Sequence, residues 1–289
     1  MAEVPTGVTT PTTLKGAYIF DLDGTIYLGD HLLPGAARMI RELRRQSIPV
    51  RFLSNNPTKD PTQYQRKLAR LGLQTPLEDI ANTVITTVRW LAENHPFAVL
   101  FCIGEEPLRA ALLEAGFRLS EDPAEIDIVI ASYDRSFDYR KLQIAFDAIW
   151  YHKRAFLIQT NPDRYCPFPE GRGEPDCAAI TAAIEACTGV TCAVSLGKPS
   201  PIMLHEAMAG LGVDLSDAVM VGDRLGTDIQ MALDAGMPSA LVLTGEATAD
   251  DVAALPLTTR PTYVLDRIDR LIPAQLWDEL GWTEDNDHI

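Results

Sequence analysis

No part of this 289-residue sequence approaches the roughly 20 consecutive apolar residues of a transmembrane helix, so no membrane span is expected. Positive charge is scarce: 25 Lys and Arg stand against 40 Asp and Glu, a formal net charge of −15. That balance argues against non-specific binding to nucleic acid or to an anionic membrane surface, because either needs a basic patch. It also means that a phosphorylated ligand must be drawn in by a local positive field. Cysteine is sparse as well. Cys102, Cys166, Cys177, Cys187 and Cys192 make an odd total with no C-x-x-C pair, which favours free thiols in a reducing cytoplasm over a disulfide framework or zinc site. The five histidines are scattered without metal-ligand spacing. Met1 to Thr13 lacks both the basic and the apolar segments of a signal peptide, and is expected to be a loose lead-in to the first strand. The acidic segment from Trp277 to Ile289 is expected to be peripheral.

What is present suits a packed globular chain. Hydrophobic residues make up 46% and charged residues 22%, and the length fits one large or two modest domains. Strand-like and helix-like patterns alternate almost throughout. Gly35 to Ser47 sets Ala36, Met39, Ile40 and Leu43 on one helical stripe; Arg38, Arg41, Arg44 and Arg45 fall elsewhere and are expected to form a solvated face. Such alternation implies a parallel sheet covered by helices on both faces, with ligands beyond the carboxyl ends of the strands.

Several apolar runs stop abruptly in polar residues. Tyr18-Ile19-Phe20 runs into Asp21-Leu22-Asp23-Gly24-Thr25, delivering two acids to a sheet edge. Taken alone, this reads either as an Asx-rich turn or as a pair that needs a cation or a shared proton. Val50-Arg51-Phe52-Leu53 ends in Ser54-Asn55-Asn56. Leu196-Gly197-Lys198-Pro199-Ser200-Pro201 sets a lysine ahead of a capped, proline-started helix. Ala218-Val219-Met220-Val221 ends in Gly222-Asp223-Arg224-Leu225-Gly226-Thr227-Asp228. Each segment alone has an ordinary reading as a turn, a loop charge or a cap.

In this order the four segments resemble the motif set of the haloacid dehalogenase-like phosphohydrolases, from about Gly16 to about Leu265. The opening Asp21-Leu22-Asp23-Gly24-Thr25-Ile26-Tyr27-Leu28-Gly29 and the stretch Thr160-Asn161-Pro162-Asp163 resemble the type II, NagD-like branch. The resemblance implies an α/β fold: a Rossmann-like, doubly wound parallel-sheet core with an inserted α/β cap of type C2. The core is expected in residues 1–83 and 191–289 and the cap in 84–190. Relatives with this cap commonly dimerise through it, which leaves a homodimer open.

The resemblance further implies a phosphatase that works through an aspartyl-phosphate. Asp21 is the expected nucleophile, already ionised and in need of no activating base. Asp23 is expected to protonate the leaving oxygen and then deprotonate water. Mg²⁺ is the expected cofactor, held by Asp21, the carbonyl of Asp23, Asp223 and Asp228. Ser54 and Asn55 are expected to bind phosphoryl oxygens, and Lys198 to offset charge beside them. Asn56 reads as a second amide or a turn cap, and Arg224 as a phosphate contact or, first, a surface charge.

Substrate choice is expected to lie in the cap, at Asn161, Asp163, Arg164 and Asp176. Pro175-Asp176-Cys177 departs from the Gly-rich segment of many NagD-like relatives and resembles the sugar-phosphate phosphatases of arabinose-utilisation operons. Asp176 reads equally well as the cap of the following helix. The expected partner is a small phosphorylated metabolite, first a sugar phosphate, with phosphoglycolate, pyridoxal phosphate and aryl phosphates as alternatives. A non-catalytic phosphometabolite sensor and a phosphotransfer mutase are the readings from other classes.

Overall fold

The computed structural model describes residues 8–168 and 171–284. In chain order the strands are β1 (Ala17–Asp21), β2 (Tyr27–Leu28), β3 (His31–Leu32), β4 (Val50–Ser54) and β5 (Ile80–Asn82). Then come β6 (Val99–Ile103), β7 (Arg118–Leu119), β8 (Ile128–Ala131), β9 (Phe156–Gln159), β10 (Tyr165–Pro167), β11 (Gly173–Pro175) and β12 (Val194–Ser195). The last are β13 (Ala218–Gly222), β14 (Ser239–Val242) and β15 (Tyr263–Leu265). The helices are α1 (Ala36–Arg45), α2 (Pro61–Arg70), α3 (Thr83–Asn94), α4 (Glu106–Glu114) and α5 (Tyr139–Phe146). They continue with α6 (Cys177–Thr188), α7 (Pro201–Met208), α8 (Gln230–Asp234), α9 (Ala249–Ala254) and α10 (Ala274–Leu280).

These elements group into two compact units. One comprises the chain up to Leu53, Tyr64–Ala81 and the chain from Leu204 onward; the other comprises Ser54–Gln63 and Asn82–Met203. In the first, six strands lie in the order β15-β14-β13-β1-β4-β5, and β15, β14, β13, β1 and β4 run parallel. Every residue of β1 and β13 is buried. That explains why these strands read as unbroken apolar runs: helices cover both faces of a parallel sheet. The stripe on α1 packs as its spacing predicts, with Met39, Ile40 and Leu43 fully buried in a cluster with Phe20, Phe52 and Val221. Each such side chain stabilises the fold by roughly 1.5–3 kcal/mol. Exposed ion pairs such as Arg140–Glu121 contribute about 0–1 kcal/mol, so the apolar layers dominate.

The second unit repeats the architecture on a smaller scale, with five parallel strands in the order β12-β9-β8-β6-β7. Helices α3 and α4 contribute Val84, Leu91, Leu108 and Leu112 to one apolar cluster, and α5 and α6 contribute Ile144, Ala145, Ile180 and Ile184 to another. Strands β10 and β11 form an antiparallel hairpin ahead of α6. Among the described residues, no helix is long and apolar enough to cross a membrane.

Three sequence expectations are corrected here. Arg38 does not lie on a solvated face: its side chain is 3% exposed and its Nε donates to Asp269 Oδ2 at 2.6 Å. The guanidinium also lies 4.6 Å from the Trp277 ring centre and 4.7 Å from that of Trp282, so a cation that looked exposed is neutralised and stacked inside the core. Trp277 is accordingly buried, and the C-terminal segment is not peripheral over its described part; residues 285–289 lie outside the described residues. The lead-in is not wholly loose either, because Thr9 N donates to Val264 O at 2.8 Å and forms an antiparallel bridge beside β15; residues 1–7 lie outside the described residues.

Candidate active site

Parallel neighbours with matched ends bring the acids together. Strands β1 and β13 are adjacent, with Phe20 opposite Val221. Asp21, the last residue of β1, is therefore level with Gly222, and Asp223 follows at the carboxyl edge of the sheet. A five-residue π-helical turn, Leu225–Ile229, then carries Asp228 back to the same edge. Such turns widen a helix by one residue and recur at functional sites. All three acids are buried, and one carboxylate oxygen of each lies within 4.8 Å of the others.

At that spacing each ionised pair repels by roughly 3 kcal/mol or more at an effective dielectric of about 20. A hard divalent cation offsets this repulsion. Cation–oxygen distances of about 2.1 Å place ligand oxygens about 3–4 Å apart, so the set has the size and the donor chemistry for such an ion.

The surrounding backbone is shaped to these carboxylates. A Cβ on Gly222 would lie 2.2 Å from Asp228 Cγ, and one on Gly245 would lie 1.9 Å from Asp223 Oδ2. Gly24 combines a close approach with left-handed backbone: its φ is +85° and a Cβ there would lie 2.5 Å from Asp223 Oδ2. The loop after β14 supplies further support that spacing did not reveal. Glu246 N donates to Asp223 Oδ2 at 2.8 Å, Thr244 Oγ1 donates to Gly24 O at 2.7 Å, and Arg224 N donates to Asp228 Oδ2 at 3.2 Å. The Arg224 side chain is 25% exposed and pairs with the half-exposed Glu246 at 3.1 Å.

Asp23 lies apart from the buried trio in character. Its side chain is 58% exposed, and its Oδ2 accepts from the Tyr27 hydroxyl at 3.3 Å. Burial first, and then the Asp23 carboxylate, push the Tyr27 phenol well above its ordinary range.

Ser54, Asn55, Asn161, Asp163 and Lys198 all belong to the second unit. Ser54 follows directly on Leu53, the register partner of Asp21, and its Oγ accepts from Asn56 N at 3.2 Å. The Asn55 carboxamide is engaged within the second unit. Its Nδ2 donates to Asp163 Oδ2 and to Lys198 O, both at 3.1 Å, and its Oδ1 accepts from Lys198 N at 2.7 Å. Both donors of a carboxamide are then engaged, so Asn55 serves as a bracket on the Lys198 loop. Asn161 completes the bracket by donating to Asn55 O at 3.1 Å. Gly197 is fitted against it, since a Cβ there would lie 2.7 Å from Asn55 Oδ1. Asn56 acts as a turn cap, its Oδ1 accepting from Thr58 N at 2.8 Å.

Arg164 lines an open surface depression of about 340 Å³ with Tyr165, Arg172 and Glu174 at the β10–β11 hairpin. Tyr133 donates its hydroxyl to Glu174, and burial raises the Tyr133 phenol above its usual range. Asp176 is only 4% exposed and caps α6, its Oδ1 accepting from Cys177 N at 2.6 Å. Asp176→Ala is therefore expected to lower stability by about 1 kcal/mol and to leave the ratio of kcat/KM between a sugar phosphate and an aryl phosphate unchanged. A selective loss on the sugar phosphate with an unaltered melting temperature would give Asp176 back its role as a substrate ligand.

Comparison with known proteins identifies the family. The haloacid dehalogenase-like hydrolase model matches residues 18–118, and a HAD-hydrolase-like model matches residues 195–271. A Staphylococcus aureus protein named acid sugar phosphatase is 36% identical over 257 residues, covering 89% of this chain and 96% of the relative. The solved structure of a 4-nitrophenylphosphatase from Thermotoga maritima superposes with a TM-score of 0.82 at 32% identity, over 89% of this chain and 96% of that one. NagD from E. coli K-12 superposes with a TM-score of 0.79 at 26% identity, over 89% of this chain and 98% of that one. With the strand-end acids in place and likeness over most of its length, the chain belongs to the haloacid dehalogenase-like hydrolase family and to its NagD-like branch.

Proposed function

We propose that this phosphatase hydrolyses phosphate monoesters, first among them sugar phosphates, through an aspartyl-phosphate on Asp21 with Mg²⁺ as cofactor. The observation that carries the reading is the buried trio Asp21, Asp223 and Asp228 at adjacent strand ends, a hard-oxygen set that suits Mg²⁺. The three carboxylates, with the carbonyl of Asp23, would hold the ion. When bound, Mg²⁺ neutralises charge on the phosphoryl oxygens and so favours attack by an anion.

This chain's own residues divide the remaining work. A carboxylate oxygen of Asp21 attacks phosphorus while the ester P–O bond breaks, and Asp23 gives its proton to the departing oxygen. Water then attacks the phosphorus on Asp21. Asp23 takes the proton of that water, the bond to Asp21 breaks, and inorganic phosphate leaves with the Asp21 carboxylate restored. Ser54 and the amides after it donate to phosphoryl oxygens, and Lys198 offsets their charge. Asn55 acts one step back, fixing the backbone of Lys198 through the hydrogen bonds described above. Residues 84–190 serve as the inserted cap.

Substrate class rests on the cap and on relatives. The Staphylococcus relatives are named acid sugar phosphatases. The open depression beside Arg164 presents guanidinium, carboxylate and ring surfaces, which suit hydroxyl-rich ligands. Aryl phosphates are the second reading, favoured by the 4-nitrophenylphosphatase neighbour. The free thiols Cys102, Cys177, Cys187 and Cys192 support a reducing, cytoplasmic setting. Phosphate release from a panel of sugar phosphates, phosphoglycolate, pyridoxal phosphate and aryl phosphates, with and without Mg²⁺, tests the proposal. Turnover of several sugar phosphates with the highest kcat/KM supports it, and release from aryl esters alone moves the assignment to the second reading.

A further inference from the structure

Of the acids Asp21, Asp23, Asp223 and Asp228, only Asp23 is exposed. A proton carrier in that position is vulnerable to rotation, because transfer is fast only when the carboxyl lies within hydrogen-bond reach of the reacting oxygen. Two side chains converge on it. Tyr27 is fully buried and donates its hydroxyl to Asp23 Oδ2 at 3.3 Å. Lys67, on α2, holds its Nζ 4.0 Å from Asp23 Oδ1 and 3.6 Å from the centre of the Tyr27 ring. The backbone closes the same loop, with Gly24 N donating to Tyr27 O at 2.8 Å and Asp23 forming a bridge with Tyr27. The two oxygens of the Asp23 carboxyl thus face different neighbours, one a neutral hydroxyl and the other a cation.

We infer that Tyr27 and Lys67 are positioning residues that hold the Asp23 carboxyl in the orientation from which it exchanges a proton with the leaving oxygen. This rests on the reading of Asp23 as the acid. The Tyr27 hydroxyl donates to Oδ2 whether the group is a carboxylate or a carboxylic acid, since a neutral carboxyl keeps an acceptor oxygen. The contact therefore persists through the transfer. Lys67 sits against both the ring and Oδ1, which limits rotation of both side chains. Packing alone requires neither polar group: phenylalanine would fill the site of Tyr27, and a long apolar chain would replace the stem of Lys67.

The test exploits the chemistry of the leaving group. Benzyl phosphate departs as an alkoxide and needs the proton; 4-nitrophenyl phosphate departs as a stabilised phenolate and needs it much less. In Tyr27→Phe and in Lys67→Met, the benzyl-to-nitrophenyl ratio of kcat/KM is expected to fall about tenfold. Asp23→Asn, which removes the acid itself, is expected to lower the ratio further and sets the scale. A purely structural role would reduce both substrates together and leave the ratio alone. If the ratio falls in Asp23→Asn but keeps its wild-type value in both other variants, the inference is overturned while the reading of Asp23 stands. If Asp23→Asn leaves the ratio unchanged, Asp23 is not the acid and the inference falls with it. Should thermal melting show that Tyr27→Phe does not fold, Lys67→Met alone carries the decision.

Discussion

Asp21→Asn is expected to lower kcat on the order of 10⁴-fold or more for every phosphate ester while the protein stays folded. The amide keeps the size and shape of the carboxylate, so nothing in the packing of β1 against β13 should change. What it removes is the anionic oxygen that must bond to phosphorus, and no neighbouring group on the described strand ends can take that place without moving. Stability supplies the counter-check. Asp21, Asp223 and Asp228 have carboxylate oxygens within 4.8 Å of one another, so removing one negative charge relieves repulsion in the metal-free protein. The melting temperature in chelator is therefore expected to hold or to rise. Measuring kcat alongside thermal melting separates the two consequences. A variant with turnover within tenfold of wild type would remove Asp21 from the covalent step, whatever its melting temperature.

Legibility in the sequence followed the range of the interactions involved. The strand ends were readable because each is local: an apolar run that stops in an acid announces both a buried parallel strand and the edge where that acid emerges. Asp21 and Asp223 could be paired from sequence because neighbouring parallel strands place their carboxyl ends on one edge. Partners that lie far along the chain were not readable. Arg38 looked like one of four solvated arginines because its carboxylate, Asp269, is 231 residues away. Asn55 reads as a phosphate donor because an amide after a strand-end serine offers hydrogen bonds, and nothing local announces the side-chain bracket. Its actual acceptors and donors include Lys198, 143 residues on, and Asn161, 106 residues on. Asp176 had two local readings of equal weight, and burial with a cap hydrogen bond favours the helix-capping one.

Tyr27 and Lys67 show a different limit. Tyr27 stands in the motif segment, where it reads as one more apolar residue of a short strand. Lys67 sits on α2 among Arg66 and Arg70, a setting typical of a solvated helix face. Neither pattern distinguishes a side chain aimed at a carboxylate from one aimed at water. Only the three-way arrangement of ring, ammonium and carboxyl does so. The glycines are a similar case: Gly222 and Gly245 look like turn residues, yet their lack of a Cβ is what admits the Asp228 and Asp223 side chains.

Chelation is expected to abolish turnover, by about 10³-fold or more, and added Mg²⁺ to restore it. Four acids among the motif residues against Lys198 as motif cation leave a transferring phosphoryl group short of positive charge, and a divalent ion is the group that supplies it. Binding has a readout independent of activity. A ligand that binds only the folded state stabilises it by RT ln(1 + [L]/Kd), about 2.7 kcal/mol at one hundred times Kd. Saturating Mg²⁺ should therefore raise the melting temperature of the wild type. Asp223→Asn should lose most of that rise because it removes one of the negative charges that hold the ion. Gly222→Ala should lose it for a different reason: its Cβ would lie 2.2 Å from Asp228 Cγ and must displace that carboxylate. Retention of the full thermal shift in both variants would mean that the ion binds elsewhere. Full turnover in chelator would go further and require the positive charge at the reacting phosphate to come from the protein alone.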